Sequence, residues 1–339
     1  MTFEFPAHDV ADRAVLDAAA AWLRRADADE LAGDWPRRLA VRQGTDVATA
    51  ALYLSVRQSD RCLDLTTGAG VARPVEMGAT AIPLHVAVAP GAFYREHPGT
   101  GADGAAVRSA AETLGCRTSL IRTPSIGTLA LNARVILDWL AQQPPEPVVI
   151  VSLSKGGADM KCALAAPDAA QVFRHVVAWI NVGGITEGSG MASWLFDHPA
   201  ATMIYRCLFW RRGRDFQFVR DLPRRIGGPL DFTPDVPNHM TVIHVVGFPL
   251  RRHIQLRATR AWHRRLAKWG PNDGAAVLYD ACRLPGRIVP VWGVDHFAQD
   301  RLDLGQLAAK VLGWLATRGQ RDSSAGRPES ERTSLGAAL

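Results

Sequence analysis

From position 83 onward the chain alternates short, almost continuously apolar runs with stretches of helical periodicity, and this alternation restricts the fold more than any other feature. The runs are LHVAVA (84–89), CRTSLI (116–121), PVVIV (147–151), VVAWINV (176–182), MTVIHVV (240–246) and RIVPVW (287–292). Their shortness and their content of valine and isoleucine favour strands over buried helices. Helices are predicted between them at 103–115 and 128–141 and from about 155, with a final one at 302–317. Strands that are apolar without alternation are buried on both faces, which requires a parallel sheet with helices above and below it. The expected fold class is α/β, with a doubly wound, mostly parallel sheet.

Other stretches divide the chain around that core. Residues 1–80 are expected to form a helical N-terminal extension, and they carry no catalytic signature. Residues 81–184 and 239–317 make up the expected core. The rhythm breaks at 185–238, where Trp194, Phe196, Tyr205, Phe209, Trp210, Phe216 and Phe218 mix with arginines, glycines and prolines; an inserted cap or lid is expected there. The polar, Gly/Ser-containing segment 318–339 is expected to be a disordered tail.

Composition narrows the functional classes. The five cysteines lie far apart with no C-x-x-C pair, so neither a zinc site nor a disulfide framework is expected, and a reducing, cytoplasmic setting fits. No cationic n-region followed by an apolar stretch opens the sequence, and no apolar run approaches a membrane span. The net charge of +6 is concentrated in arginines at 206–225 and 251–268. No zinc-finger, basic-zipper or RNP-type pattern accompanies them, so no nucleic-acid partner is expected. The second group alternates with Ile254, Ala258, Trp262, Leu266 and Trp269 and reads as the solvent face of an amphipathic helix.

The stretch VVIVSLSKGG (148–157) carries the chemistry. It is not a phosphate-binding loop, because Lys155 precedes the glycines. Ser152 and Lys155 satisfy S-x-x-K, yet neither K-T-G nor S-D-N occurs in the chain. The remaining reading is a nucleophile elbow, in which a serine sits on a strained strand-to-helix turn with small residues two positions to either side. Here Ser154 is flanked by Ser152 and Gly156, with serine in place of the usual first glycine; the plainer alternative is that Ser154 merely caps a helix. A serine hydroxyl needs a positioned base, which in this arrangement follows a late strand and is itself oriented by an acid. Of ten histidines, His296 stands just past the last expected strand. Asp273, in the turn-forming Asn-Asp-Gly, lies 23 positions earlier and is the expected acid, with Glu187 and Asp295 as rivals.

VVIVSLSKGG, PNDGAAV and WGVDHFAQ, in that order, resemble the α/β-hydrolase superfamily in its bacterial lipase and esterase branches, over about residues 81–316. The resemblance implies Ser154 as nucleophile, Asp273 as orienting acid and His296 as general base. It places the oxyanion hole at the backbone N–H of Lys155 and at Ala92 or Phe93, although Pro90-Gly91 replaces the frequent His-Gly of that loop. The Lys155 ammonium is expected in solvent, or else facing an acidic substrate. Trp194, Phe196, Phe209 and Trp210 are expected to line an acyl or alkyl pocket, the alternative being that they form the cap's own core. The implied activity is hydrolysis of a small-molecule carboxylic ester with a hydrophobic group, through an acyl-enzyme, with no metal or organic cofactor. Acyl transfer, thioester hydrolysis and a catalytically silent binding protein are the alternatives.

Overall fold

The computed structural model describes residues 10–65, 83–297 and 302–325. Six strands, β1 (His85–Ala89), β2 (Arg117–Leu120), β3 (Val148–Leu153), β4 (Val176–Val182), β5 (Thr241–Phe248) and β6 (Arg287–Trp292), form one sheet in the order β2-β1-β3-β4-β5-β6. All five pairings are parallel. β1 and β3 are buried at every residue, as their unbroken apolar runs require. β2 lies at the edge, and there Arg117 is exposed while the remaining three residues are half-buried.

Successive side chains of a strand point to opposite faces, and the core divides accordingly. Val86, Val88, Val149 and Val151 pack with Val107, Ala111, Leu307, Val311 and Leu312, so the helices Ala105–Thr113 and Leu304–Ala325 cover one face. Ala87, Ala89 and Ile150 pack with Ile136, Leu137, Met160 and Ala163, so the helices Leu129–Ala141 and Lys155–Leu164 cover the other. Each fully buried valine or leucine contributes about 1.5–3 kcal/mol to holding these layers on the sheet.

The three N-terminal helices, Val10–Leu23, Trp35–Gln43 and Thr45–Gln58, complete that second face over β5 and β6. Tyr53 packs against Phe248 and Trp292, with ring centroids 5.4 and 4.8 Å away. Asp12, 3% exposed, accepts from Trp292 Nε1 at 3.0 Å and lies 2.9 Å from His253 Nε2. Residues 10–58 of the segment expected as an extension thus form part of the sheet's covering layer.

The segment between β4 and β5 carries the helices Gly190–Phe196, Pro199–Arg211 and Gln217–Arg220, whose Leu195, Phe216, Phe218 and Leu230 form a small core shared with Leu129 and Ala158. Lys161, fully buried in helix Lys155–Leu164, donates to Thr186 O at 2.7 Å and to Leu230 O at 2.8 Å. It clasps the segment close to both of its ends.

The tail departs from expectation. The last helix, expected to end at 317, continues to Ala325. Arginine and glutamine are good helix formers, so a polar stretch can extend a helix already anchored by its earlier turns. The rest of the expected disordered tail, 326–339, lies outside the described residues. Among the described residues no helix is long and apolar enough to cross a membrane.

Candidate active site

The strand order reverses between β1 and β3, and a crevice forms beyond the carboxyl ends of strands at such a switch point. Ser154 stands there, immediately after β3. Its φ of 51° and ψ of −116° lie outside the regions favoured by non-glycine residues, a strain of about 1–3 kcal/mol. The glycines behind it have a steric explanation. A Cβ on Gly156 would meet Ala89 O at 2.4 Å, and one on Gly157 would meet Asn181 Oδ1 at 2.5 Å, so the helix can follow the strand this closely only without side chains at both positions. The serine at the first small position is also accommodated: buried Ser152 donates to Asn181 Oδ1 at 3.0 Å and accepts from Trp179 Nε1 at 2.8 Å.

Two further loops converge on Ser154. Its Oγ lies 2.9 Å from His296 Nε2, and His296 Nδ1 lies 2.9 Å from Asp273 Oδ2. Asp273 is 3% exposed, and its other oxygen accepts from the N–H groups of Ala275 at 2.9 Å and Ala276 at 2.7 Å. Its backbone carbonyl accepts from the His296 N–H at 3.0 Å, so the two loops are pinned by main chain as well as side chain. With its second oxygen occupied, the carboxylate can receive only the Nδ1 proton, which leaves Nε2 as the acceptor facing Ser154. Burial disfavours the charged form of His296, but the Asp273 carboxylate outweighs it and holds the imidazole pKa above its ordinary value. An alcohol bonded to an imidazole that a carboxylate orients is the arrangement that turns a hydroxyl into a nucleophile.

Of the rival acids, Glu187 lies elsewhere, whereas Asp295 borders the same cavity as Ser154 and His296. Glu187 sits 3.7 Å from Arg224 and 3.4 Å from Arg283, and Asp295 accepts from the Phe297 N–H at 3.1 Å. Ala92 and Phe93 both border the cavity beside Ser154, but Phe93 gives its N–H to Ser125 O at 3.3 Å. Among the described residues no protein acceptor takes the N–H of Ala92 or of Lys155.

Two expectations are corrected. The Lys155 side chain is neither in solvent nor facing the cavity. It is 1% exposed and turns inward to Asp159 at 2.6 Å, whose other oxygen accepts from Asn132 Nδ2 at 2.8 Å. Burial raises the Asp159 pKa, with Lys155 and Asn132 opposing. The cause lies in the fold: helix Lys155–Leu164 is covered on both sides, so its first residue has no open face. The four aromatics are likewise absent from the cavity, which has a volume of about 530 Å³ and is walled by Phe93, Leu153, Val182, Val245, Val291 and Leu304. Trp194 stacks on His198, with centroids 4.1 Å apart, and Phe209 lies behind Phe93 at 6.3 Å. Phe196 and Trp210 border an outer surface groove instead.

Several contributors escaped the sequence reading. Gly183, at φ 54°, brings the end of β4 so near that a Cβ would lie 3.7 Å from His296 Nδ1 and 4.0 Å from Asp273 Oδ2. The Gly-Gly pair closing VVAWINV was the available signal. Asn272, fully buried, donates to His263 O at 3.2 Å and Gly270 O at 3.1 Å and accepts from the Gly274 N–H at 3.1 Å, fixing the turn that presents Asp273. Among the described residues no three His, Cys, Asp or Glu side chains cluster as a metal would require.

No protein-family model matches the chain, and no curated protein does. Solved structures do. A metagenomic carboxyl esterase, MGS0156, superposes with a TM-score of 0.55 at 21% identity, over 79% of this chain and 84% of the esterase. The mature lipase BlEst2 of Bacillus licheniformis gives 0.50 at 22% identity, over 69% of this chain and 91% of the lipase. The likeness, at such identities, is one of fold, and it agrees with the parallel sheet, the strained serine turn and the converging loops: this chain has the α/β-hydrolase fold.

Proposed function

We propose that this protein is a serine hydrolase that cleaves a carboxylic ester through an acyl-enzyme. The observation that carries the reading is the continuous chain of contacts from Ser154 Oγ through His296 to Asp273, each link 2.9 Å long, at the mouth of a largely apolar cavity. In the proposed mechanism His296 Nε2 takes the Ser154 proton as the oxygen attacks the ester carbonyl. The imidazolium is held by Asp273 and returns the proton to the leaving alkoxide. The developing oxyanion is received by the N–H groups of Lys155 and Ala92, each such donor being worth about 10²–10³ in rate. Water, activated by the same imidazole, then releases the acid. The same groups would serve a thioester, since the acyl-enzyme is identical.

On this reading residues 81–184 and 239–317 are the catalytic core and 185–238 a cap lying over the nucleophile helix. The apolar walls around Ser154 support a substrate with a hydrophobic acyl or alkyl group. The test is labelling by a fluorophosphonate together with hydrolysis of a p-nitrophenyl ester. Wild type should do both and Ser154→Ala neither. A folded wild-type protein that is not labelled, or a variant that remains labelled, would overturn the proposal.

A further inference from the structure

The segment between β4 and β5 presents an unusual surface to solvent. Helix Pro199–Arg211 has no buried residue. Its inward side is held by Phe209, which stacks on Phe218 at 5.7 Å and meets Phe93 edge-on at 6.3 Å. At 100° per residue, Met203, Cys207 and Trp210 share one side, about 100–160° around from Phe209, with Ile204 next to Cys207. Trp210 is 79% exposed, Met203 69% and Ile204 60%, and Met203, Cys207 and Trp210 border one surface groove. Single exposed apolar side chains are ordinary on a protein surface, but a contiguous group of this size marks an interaction face.

Between Asp197 and Asp215 the charge on this helix has one sign. Residues 199–214 contain Arg206, Arg211, Arg212 and Arg214 and no aspartate or glutamate. Arg214 reaches Glu96 at 3.7 Å, but among the described residues no carboxylate pairs with Arg206, Arg211 or Arg212. A helix that carries tryptophan and aliphatic side chains outward beside a groove, among arginines whose stems can lie along apolar surface, suits contact with a surface that is apolar below and anionic above. Its charge complement is an anionic surface. A second copy of this chain fits poorly, because a two-fold contact across the helix would set the arginines of one copy against those of the other.

We propose that the outer face of helix Pro199–Arg211 docks the protein on an anionic lipid bilayer. Trp210, Met203 and Ile204 would enter the headgroup boundary and Arg206, Arg211 and Arg212 would contact lipid phosphates. This goes beyond the hydrolase reading and does not depend on it. The helix would lie between the bilayer and Phe93, so docking would bring the cavity mouth close to the membrane surface.

The test is co-sedimentation of the full chain with vesicles of phosphatidylcholine alone and of phosphatidylcholine mixed with phosphatidylglycerol. Retention is expected on the anionic vesicles only, and it should be lost in about 1 M salt, where the Debye length falls to about 3 Å. Met203→Ser/Ile204→Ser and Arg211→Glu/Arg212→Glu should each bind at least about tenfold more weakly. Circular dichroism and thermal unfolding matching the wild type would verify that both variants are folded. No wild-type binding to anionic vesicles, or equal binding by folded variants, would overturn the proposal. So would a dimer, seen in gel filtration and abolished by Met203→Ser/Ile204→Ser, in a protein that does not sediment with vesicles; that result would assign the face to a second copy.

Discussion

Replacing Lys155 by methionine tests whether the buried pair behind Ser154 holds helix Lys155–Leu164 in place. The change removes the ammonium 2.6 Å from Asp159 and keeps most of the side-chain volume, leaving a carboxylate that is 1% exposed with Asn132 Nδ2 as its remaining side-chain partner. Removing one member of such a pair costs about 3–5 kcal/mol, against a total stability of about 5–15 kcal/mol for a folded protein. Asp159→Asn alone strands the lysine and should carry a similar penalty. The double variant Lys155→Met/Asp159→Asn leaves no charge, and the amide oxygen introduced at position 159 can still accept from Asn132, so its loss should be far smaller than the sum of the two single losses. Urea unfolding of the four proteins, followed by far-ultraviolet circular dichroism, measures the cycle. The pH dependence supplies a sign. Burial raises the Asp159 pKa and Lys155 opposes it, so deleting Lys155 raises it further in the folded state only. A carboxyl with a higher pKa folded than unfolded stabilises the fold when protonated, and that contribution fades as pH rises through the folded value. Lys155→Met should therefore regain stability on acidification from neutral pH. A single-variant loss under about 1 kcal/mol, or a double variant as unstable as the sum of the singles, would refute the reasoning.

Other outcomes follow from the same geometry. Asp273→Asn should lower kcat for ester hydrolysis by about 10⁴-fold, because the amide no longer selects the tautomer that accepts from Ser154. In the wild type the rate should rise with pH through a midpoint above the ordinary histidine value, since the base must be neutral and Asp273 raises its pKa; a midpoint at or below about 6.5 would contradict this. Gly156→Ala places a methyl 2.4 Å from Ala89 O and should cost about 3 kcal/mol in thermal unfolding, so an unchanged Tm would remove the steric account of that glycine. Glu187→Gln should leave kcat/KM unchanged, because its carboxylate faces Arg224 and Arg283; a loss rivalling that of Asp273→Asn would make it the orienting acid instead.

Five of the six runs were legible as strands because burial on both faces leaves no room for polar alternation, and β4 and β6 coincide with the runs at 176–182 and 287–292. The polar edge of β2 was not legible in that way, since CRTSLI gives no sign that its outer side lacks a neighbouring strand. For Lys155, the four-residue spacing to Asp159 was visible in the sequence. Whether the pair faced water or the interior depended on what packs over helix Lys155–Leu164. The aromatics at 194, 196, 209 and 210 were visible as an apolar group, but their directions follow from how segment 185–238 folds on itself, and that turns Trp210 outward while Phe209 points in.

By itself the sequence determined the local backbone: short apolar runs that favour buried strands, a Gly-Gly pair that lets a helix turn sharply off a strand, and an Asn-Asp-Gly turn able to project a carboxylate. These are short-range steric and solvation constraints, satisfied or violated within a few residues. Only the tertiary structure decided that the atoms of residues 154, 273 and 296 meet within hydrogen-bonding distance and that Lys155 is enclosed. Those outcomes depend on the order in which strands assemble and on which surfaces then lie against each other, and chain neighbours carry no record of either.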